Sequence, residues 1–539
     1  MRPALAILAA LMVLLAGCTV GTDPGTTDES PTDTPAMDTD TPDTSDPADE
    51  ADGGGDAENG RSDYGDDSGE TNSTDDSDTG SETGNQSGEM VAQLADPETD
   101  RLGWEAGLWY NETIGVDNSD GMNATERELA VARAMARVEH VRGTEFPGNE
   151  TIPIDVQSRE EFREEGFGQD NYTDAYRTFD NVKFESLFFV GEDEDSLEVQ
   201  ESNRGESVQG YYSPTNDSIV LISEGDLPQF DGEETLAQEV AHALQDQVYD
   251  TASLQRNVTT RDGYAGLLGI IEGDGNLIDE LYVEECAANW SCIPAPNTSD
   301  GGSGPGEGFH YGIYFMEYLP YSDGPGFVQH YYDRGGWDRV DEIYDAPPAS
   351  GEQVVFPEKY GSDPPADVSI GDRSAAGWEQ VVTEGGQSYD RLGMGSMAAM
   401  FMYPAYEEAY NGSFVVSPVA FLNTDAQGNV DSSDPVDYGF PAVTGWEGDR
   451  FEAYQNDAGE TGYVWRIQWN SAANATQFAG TYRDLLSYWG ADSVGDGRYE
   501  IADDSPFTDA IDLAVDGDTV TIVNAPTTDQ LDDVHETDA

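Results

Sequence analysis

Residues 237–247 read Ala237-Gln238-Glu239-Val240-Ala241-His242-Ala243-Leu244-Gln245-Asp246-Gln247. Leu236, Val240 and Leu244 recur every fourth residue, the period of one apolar helix face. Asp231 and Glu234, just ahead, read as an N-terminal capping signature. Gln238 and His242 stand at i and i+4, so their side chains leave the helix on the same side, one turn apart. Two imidazoles at that spacing hold zinc while a glutamate between them serves as general base, the H-E-x-x-H arrangement. Here the first imidazole is replaced by the amide of Gln238; Glu239 and His242 keep the base and ligand positions.

The flanking sequence predicts the rest of a core. Upstream, residues 208–222 read as a β-hairpin: Tyr211 and Tyr212, a Pro214-Thr215-Asn216-Asp217 turn, then Ile219-Val220-Leu221-Ile222. Earlier still, Thr125-Glu126-Arg127-Glu128 is a capping box ahead of a stripe of Leu129, Ala132, Met135, Ala136 and Val138. A strand follows at 152–156, and a helix starts at Ser158. Downstream, Tyr264, Leu267, Leu268, Ile271 and Ile278 form the apolar set of a second helix with Glu272-Gly273-Asp274-Gly275 in its middle. A hairpin, a helix with Q-E-x-x-H and a helix with Glu form the order of an α+β zincin core whose third ligand is a carboxylate.

These segments resemble a family of exported zincin-like proteins of bacteria and archaea. Residues 238–247 are similar to its H-E-[LV]-x-H-A-L-Q-D-Q segment, and Glu272-Gly273-Asp274 to its E-G-D-A segment. Further similarity runs through Arg142-Gly143-Thr144-Glu145-Phe146, Pro320-Tyr321, Gly335-Gly336-Trp337, Glu352 to Tyr360, and Gly445-Trp446-Glu447-Gly448-Asp449-Arg450. The resemblance extends to haloarchaeal surface lipoproteins and covers most of 95–539. It implies a gluzincin-type fold with His242 and Glu272 as zinc ligands, Glu239 as general base and Asp274 as an outer partner of His242. Gln238 departs from the pattern at a ligand position. An amide oxygen is a poor zinc donor, so zinc binding is expected to be weak or absent. Two readings stand: a non-catalytic binding or surface protein on a peptidase scaffold, and an active zinc-dependent peptidase. His310 and His330 are the histidines placed to replace the missing ligand, and Tyr311, Tyr321 and Tyr331 are candidate oxyanion donors; packing is the plainer role for all five.

The charge balance excludes one class of partner. Lys and Arg number 23 against 109 Asp and Glu, a net charge of −86, and only Lys183 and Lys359 are lysines. Nucleic-acid binding needs clustered bases, which this chain lacks. Residues 19–92 carry 22 acids and one base, whereas residues 93–539 carry 87 acids and 21 bases, so most of the charge belongs to the folded body. Self-repulsion on that scale is tolerable in molar salt, where the Debye length falls to about 3 Å. A halophilic archaeon is the expected source.

Met1-Arg2-Pro3 and an apolar run from Ala4 to Leu15 read as an export signal over 1–17, too short to span a bilayer. Leu15-Ala16-Gly17-Cys18 resembles a lipobox, which makes Cys18 the lipidated first residue and anchors the protein to the outer face of the cytoplasmic membrane. Partners are then that membrane and a cell-surface layer or extracellular protein. Residues 18–92, rich in Thr, Ser, Asp and Gly, form a disordered acidic spacer. Cys286 and Cys292 remain as an even pair in an oxidising compartment; a disulfide and two buried thiols are the alternatives, with the disulfide favoured. Asn111, Asn171, Asn257 and Asn474 head glycosylation sequons. A zincin-like domain is expected over 93–363 and a smaller α+β domain over 364–539. In the latter, 392–402 form an apolar helix, 451–469 a hairpin, 471–489 a helix, 520–523 a last edge strand and 527–539 a frayed end.

Overall fold

A computed structural model describes residues 96–536, apart from 149, 166–171, 224, 226, 231, 296–308, 376, 408–413, 425–426, 432–433 and 503. The signal segment, Cys18, the spacer, Asn171 and Asp231 lie outside the described residues. A short hairpin, β1 (Trp104–Glu105) and β2 (Leu108–Trp109), precedes α1 (Ala124–Arg142). The cap of α1 is Asn123, whose side chain accepts from the Thr125 and Glu126 amides while the Glu126 carboxylate accepts from the Asn123 amide. The capping box expected at Thr125–Glu128 is therefore displaced two residues towards the N-terminus, because Asn caps at least as well as Thr.

On α1, Glu139 accepts from the amides of Gly103 and Phe146 at 2.7 Å each. Fully buried Glu105 on β1 is coupled to it. Burial, reinforced by the Glu139 charge, pushes the Glu105 carboxyl up to about 9, and burial pushes Glu139 up to about 7. The folded chain thus keeps a proton that the unfolded chain releases above the ordinary value of 4.5. Stability from this pair is complete below that value and is lost as pH rises through about 9. Glu105→Gln should flatten the decline in melting temperature between mildly acidic and mildly alkaline buffer, gaining roughly 1–2 kcal/mol near pH 8 after allowance for partial solvent access. An unchanged pH profile would contradict this.

Next come β3 (Ile154–Gln157), α2 (Arg159–Glu165), α3 (Asp174–Ser186), α4 (Ser196–Ser207), and the expected hairpin of β4 (Gly210–Ser213) and β5 (Ser218–Ile222). Strand β5 lies between β3, which it meets in parallel, and β4, which it meets antiparallel. The Q-E-x-x-H helix, α5 (Glu233–Tyr249), begins after Gly232 without a side-chain cap, so Glu234 does not act in the expected capping signature. Its first residue, Glu233, turns inward instead. It accepts from Arg133, Arg137, Tyr282 and the Ile293 amide at 2.6–2.7 Å.

Helix α6 (Thr251–Asn257) leads into the 28-residue α7 (Arg261–Ala288), which packs along α8 (Tyr311–Gly335); α9 (Trp337–Tyr344) and α10 (Gly351–Val355) follow. The close approach of α7 and α8 requires glycine: a Cβ on Gly273 would stand 2.2 Å from the Gly324 carbonyl oxygen. Pro320 lies inside α8 and lacks an N–H, which strands the Met316 carbonyl four residues earlier. The Arg261 guanidinium donates to that carbonyl at 3.3 Å.

The remaining elements are β6 (Trp378–Gln380), α11 (Gly393–Met402), β7 (Trp446–Asn456), β8 (Thr461–Trp469), α12 (Ala472–Tyr488), β9 (Ala491–Gly495), β10 (Arg498–Ile501), β11 (Ala510–Asp516), β12 (Thr519–Ala525) and α13 (Leu531–Val534). Seven strands form one antiparallel sheet in the order β6-β7-β8-β12-β11-β10-β9. The segment 520–523, expected at an edge, is thus central. Its run of Val and Ile is covered on both faces, Val520 and Ile522 joining one apolar cluster and Val523 another. The chain end does not fray through 527–536 either: Leu531 and Val534 fold back onto Val464 and Val523.

Helix α11 is wholly buried, and Asp449 closes its start by accepting from the Leu392 and Gly393 amides and from the indoles of Trp446 and Trp465. The described residues on the two sides of the boundary expected at 363–364 share an apolar core. One apolar cluster takes Ile271 and Leu319 from one side and Phe401 and Trp465 from the other. The architecture is α+β. Among the described residues, no helix is long and apolar enough to cross a membrane.

Candidate metal centre

Helices α5 and α7 bring two side chains together that lie far apart in sequence. His242 Nε2 stands 3.6 Å from Glu272 Oε2, with the carboxylate fully buried. The opposite ring nitrogen is held from within its own helix, Nδ1 lying 2.8 Å from Gln245 Oε1. Gln245 is itself oriented, because its Nε2 donates to the Ile271 carbonyl at 2.9 Å. Its Oε1 therefore faces the ring as an acceptor, so Nδ1 carries the proton and Nε2 presents a lone pair to Glu272. Gly275 lets the ring lie against α7, since a Cβ there would come within 3.3 Å of His242 Cε1.

The electrostatics of this pair favour a shared cation or proton. Burial lowers the His242 pKa, which keeps the imidazole neutral. Burial also pushes the Glu272 carboxyl up to about 8, against an opposing pull from the Tyr321 hydroxyl. Neither Glu272 oxygen meets hydrogen-bonding geometry with a donor among the described residues. Above about pH 8 the carboxylate and the Nε2 lone pair are two acceptors facing each other in a low-dielectric setting, a costly arrangement that protonation of Glu272 relieves below that pH. Zinc held by both atoms at about 2.0–2.2 Å in tetrahedral geometry would set them roughly 3.4 Å apart, close to the observed separation. The donors fit zinc in type, as one imidazole and one carboxylate.

The other expected members of the centre divide. Gln238 lies half-buried one turn before His242 on the same helix. Glu239 is buried on the same helix, 2% exposed. Asp274, expected behind His242, acts on the imidazole through its charge, while its hydrogen bonds go to Arg142 Nε at 2.9 Å, Arg142 Nη2 at 3.3 Å and the Tyr344 hydroxyl at 2.8 Å. Its role is to anchor α7 to α1, because a buried guanidinium demands a fork of acceptors that a single imidazole nitrogen does not. The partner of His242 is Gln245, which stands in the same stretch at i+3 and could have been read from that spacing. Tyr321 is the second residue placed beside the centre, brought there by α8.

No contact brings a further histidine to the centre among the described residues. His310 caps α8 by accepting from the Ile313 amide, and its Nε2 meets the Phe189 carbonyl at 2.6 Å. His330 is half-buried and packs on Tyr331, and His140 stacks on Tyr110 at 3.7 Å. Tyr331 donates to the Pro357 carbonyl, and Tyr311 packs on Tyr406. Cys286 and Cys292 are joined in a disulfide near the end of α7. Asn257 is exposed, while Asn111 and Asn474 are half-buried. A separate acidic group, Glu185, Glu192 and Asp509, gathers where α3 meets the sheet.

Residues 379–535, which run from β6 through α13, match a family described as a domain of unknown function, DUF8575. No curated protein and no solved structure matches the chain. The match begins shortly after the expected boundary at 364. It covers the seven-stranded sheet and leaves α5 and α7 outside.

Proposed function

We propose that the chain is a lipid-anchored cell-surface protein of a halophilic archaeon whose zincin-like centre is degenerate at Gln238, and that it works by binding rather than by hydrolysis. The observation that carries this reading is the pairing of His242 with Glu272 at 3.6 Å beside a helix position where Gln238 offers only an amide. Two good ligands hold zinc weakly; a lasting site with an open position takes three. His242 and Glu272 would hold the ion, which would supply Lewis-acid activation, while Glu239 stands ready as a base on the same helix.

The second reading is an active zinc-dependent peptidase, favoured by the oriented Nε2 lone pair and the near match of the 3.6 Å gap to a shared ion. An assay separates the two. Full-length protein in molar KCl with added zinc should cleave unfolded protein no faster than its Glu239→Gln variant does. Chelator-sensitive cleavage that disappears in Glu239→Gln would overturn the binding reading. The charge of the body carries its own expectation: the melting temperature should rise steeply between dilute buffer and molar KCl. A melting temperature indifferent to salt would remove the halophilic reading.

A further inference from the structure

Where α3 ends against the seven-stranded sheet, three carboxyl groups meet: Glu185 from the last turn of α3, Glu192 from the loop that follows, and Asp509 from the residue just ahead of β11. One ligand oxygen from each lies within 4.8 Å of the other two. Oxygens held at about 2.3–2.6 Å around a calcium ion stand at most about 5 Å apart, so the three fit one coordination shell. Asp509 is 8% exposed, Glu185 is half-buried and Glu192 is exposed, which gives the group a buried floor and an open side.

The fold fixes these groups in place. Phe188 has φ +57°, which turns the chain sharply as α3 ends, and its ring packs on Tyr482, Trp489 and Phe507 with centroids 5.1–6.4 Å away. Gly191 lies on Pro506, where a Cβ would stand 2.8 Å from the carbonyl oxygen, and the Glu192 amide donates to that same carbonyl at 3.2 Å. The Asp509 carbonyl accepts from the Ile501 amide at 2.8 Å. Glu185 hydrogen-bonds Asp509, and no Lys, Arg or His charge acts on the three carboxyls among the described residues. Like charges gathered in this way without a counter-charge repel one another.

An independent observation comes from β12, the strand paired with β11. Asn524 is 3% exposed, and its Nδ2 donates to Asp509 Oδ2 at 2.7 Å, which sets the carboxamide against the carboxyl group. The other atom of that carboxamide, Oδ1, is cut off from solvent and accepts no hydrogen bond among the described residues. A buried amide oxygen without a donor is costly. A hard cation beside Asp509 satisfies it, since asparagine carbonyls serve as calcium ligands alongside carboxylates.

We propose that Glu185, Glu192 and Asp509, with the Asn524 carbonyl oxygen beside them, bind one calcium ion that ties α3 and its following loop to the β11–β12 hairpin. The donors are all oxygen, which selects a hard cation over zinc or copper. Calcium tolerates an irregular shell of about six to eight ligands and completes it with water from the open side at Glu192, whereas magnesium demands a near-ideal octahedron. Glu185 and Glu192 precede the segment matched to the family of unknown function, while Asp509 and Asn524 lie within it, so the ion joins both parts of the chain. The site shares no residue with the His242 centre and does not depend on how that centre is read.

The test uses full-length protein stripped with EGTA and held in molar KCl, where diffuse binding to the acidic surface is screened. Calcium is titrated and followed by calorimetry, and terbium by luminescence sensitised through Tyr463 and Tyr482, whose hydroxyls feel the charge of Glu185. One calcium per chain should bind with Kd of about 10⁻⁴–10⁻³ M, the range of extracellular modules, and raise the melting temperature. Glu192→Gln and Asp509→Asn should each weaken binding at least about tenfold, because affinity follows the number of charged ligands. Glu192→Gln changes an exposed position, so in EGTA it should melt no lower than the natural protein. Absence of saturable calcium binding, displacement of calcium by equimolar magnesium, or unchanged affinity in Glu192→Gln would overturn the proposal.

Discussion

Replacing Glu233 by alanine should remove at least about 3–5 kcal/mol from the stability of the body, the cost of breaking a buried ion pair by deleting one partner. Glu233 is 1% exposed and sits between Arg133 and Arg137, themselves 1% and 0% exposed. Its deletion leaves two guanidiniums buried with no carboxylate between them and strands the Tyr282 hydroxyl and the Ile293 amide. The damage spreads to the disulfide loop, since both arginines also donate to the Ser291 carbonyl and Arg137 lies over Trp290 at 4.6 Å. A domain with about 5–15 kcal/mol in hand would lose a large part of it. Urea unfolding in molar KCl gives the number, and a loss below about 1 kcal/mol would show that the cluster carries little. Glu233→Gln keeps one acceptor and should fall between the two.

The second large effect is a gain. Gln238→His places an imidazole one turn before His242, and together with Glu272 it completes two histidines and a carboxylate, a ligand set that holds zinc with one position open. Zinc affinity should rise by at least about 100-fold, because even the loss of an outer partner of a ligand costs 10–100-fold. Competition with a chromophoric chelator measures the gain. Adding His242→Ala to Gln238→His should abolish it. An affinity unaffected by Gln238→His would mean that residue 238 does not face the His242–Glu272 gap.

Local pattern made several elements legible. The fourth-residue recurrence of Leu236, Val240 and Leu244 marks α5, whose apolar face is buried. The β-formers and turn residues of 211–222 mark the β4–β5 hairpin, and the helix expected over 471–489 is α12, which Ser471 caps. The proximity of His242 and Glu272 follows from what the family resemblance implies for the two helices. What escaped was the work of buried charge. On α1 the expected stripe included Leu129, which is 36% exposed, while Arg133, Arg137 and Arg142 point inward. Their partners Glu233 and Asp274 lie 96 to 132 residues away, beyond any local period. For the same reason the sequence does not show that Asp274, whose charge acts on His242, is also the anion of Arg142. The place of β12 also escaped, because the last strand of the chain need not be the last strand of a sheet. Here it returns to pair with β8.

The most direct test of the proposed degenerate centre is the zinc content of the natural protein. Full-length protein purified in molar KCl with micromolar zinc, then dialysed against zinc-free buffer of the same salt, is analysed by mass spectrometry for metal per chain. A two-ligand centre built on His242 and Glu272 should retain well below one zinc per chain, while the Gln238→His variant handled alongside should retain about one. One zinc per natural chain, lost on His242→Ala, would contradict the account and restore the peptidase reading.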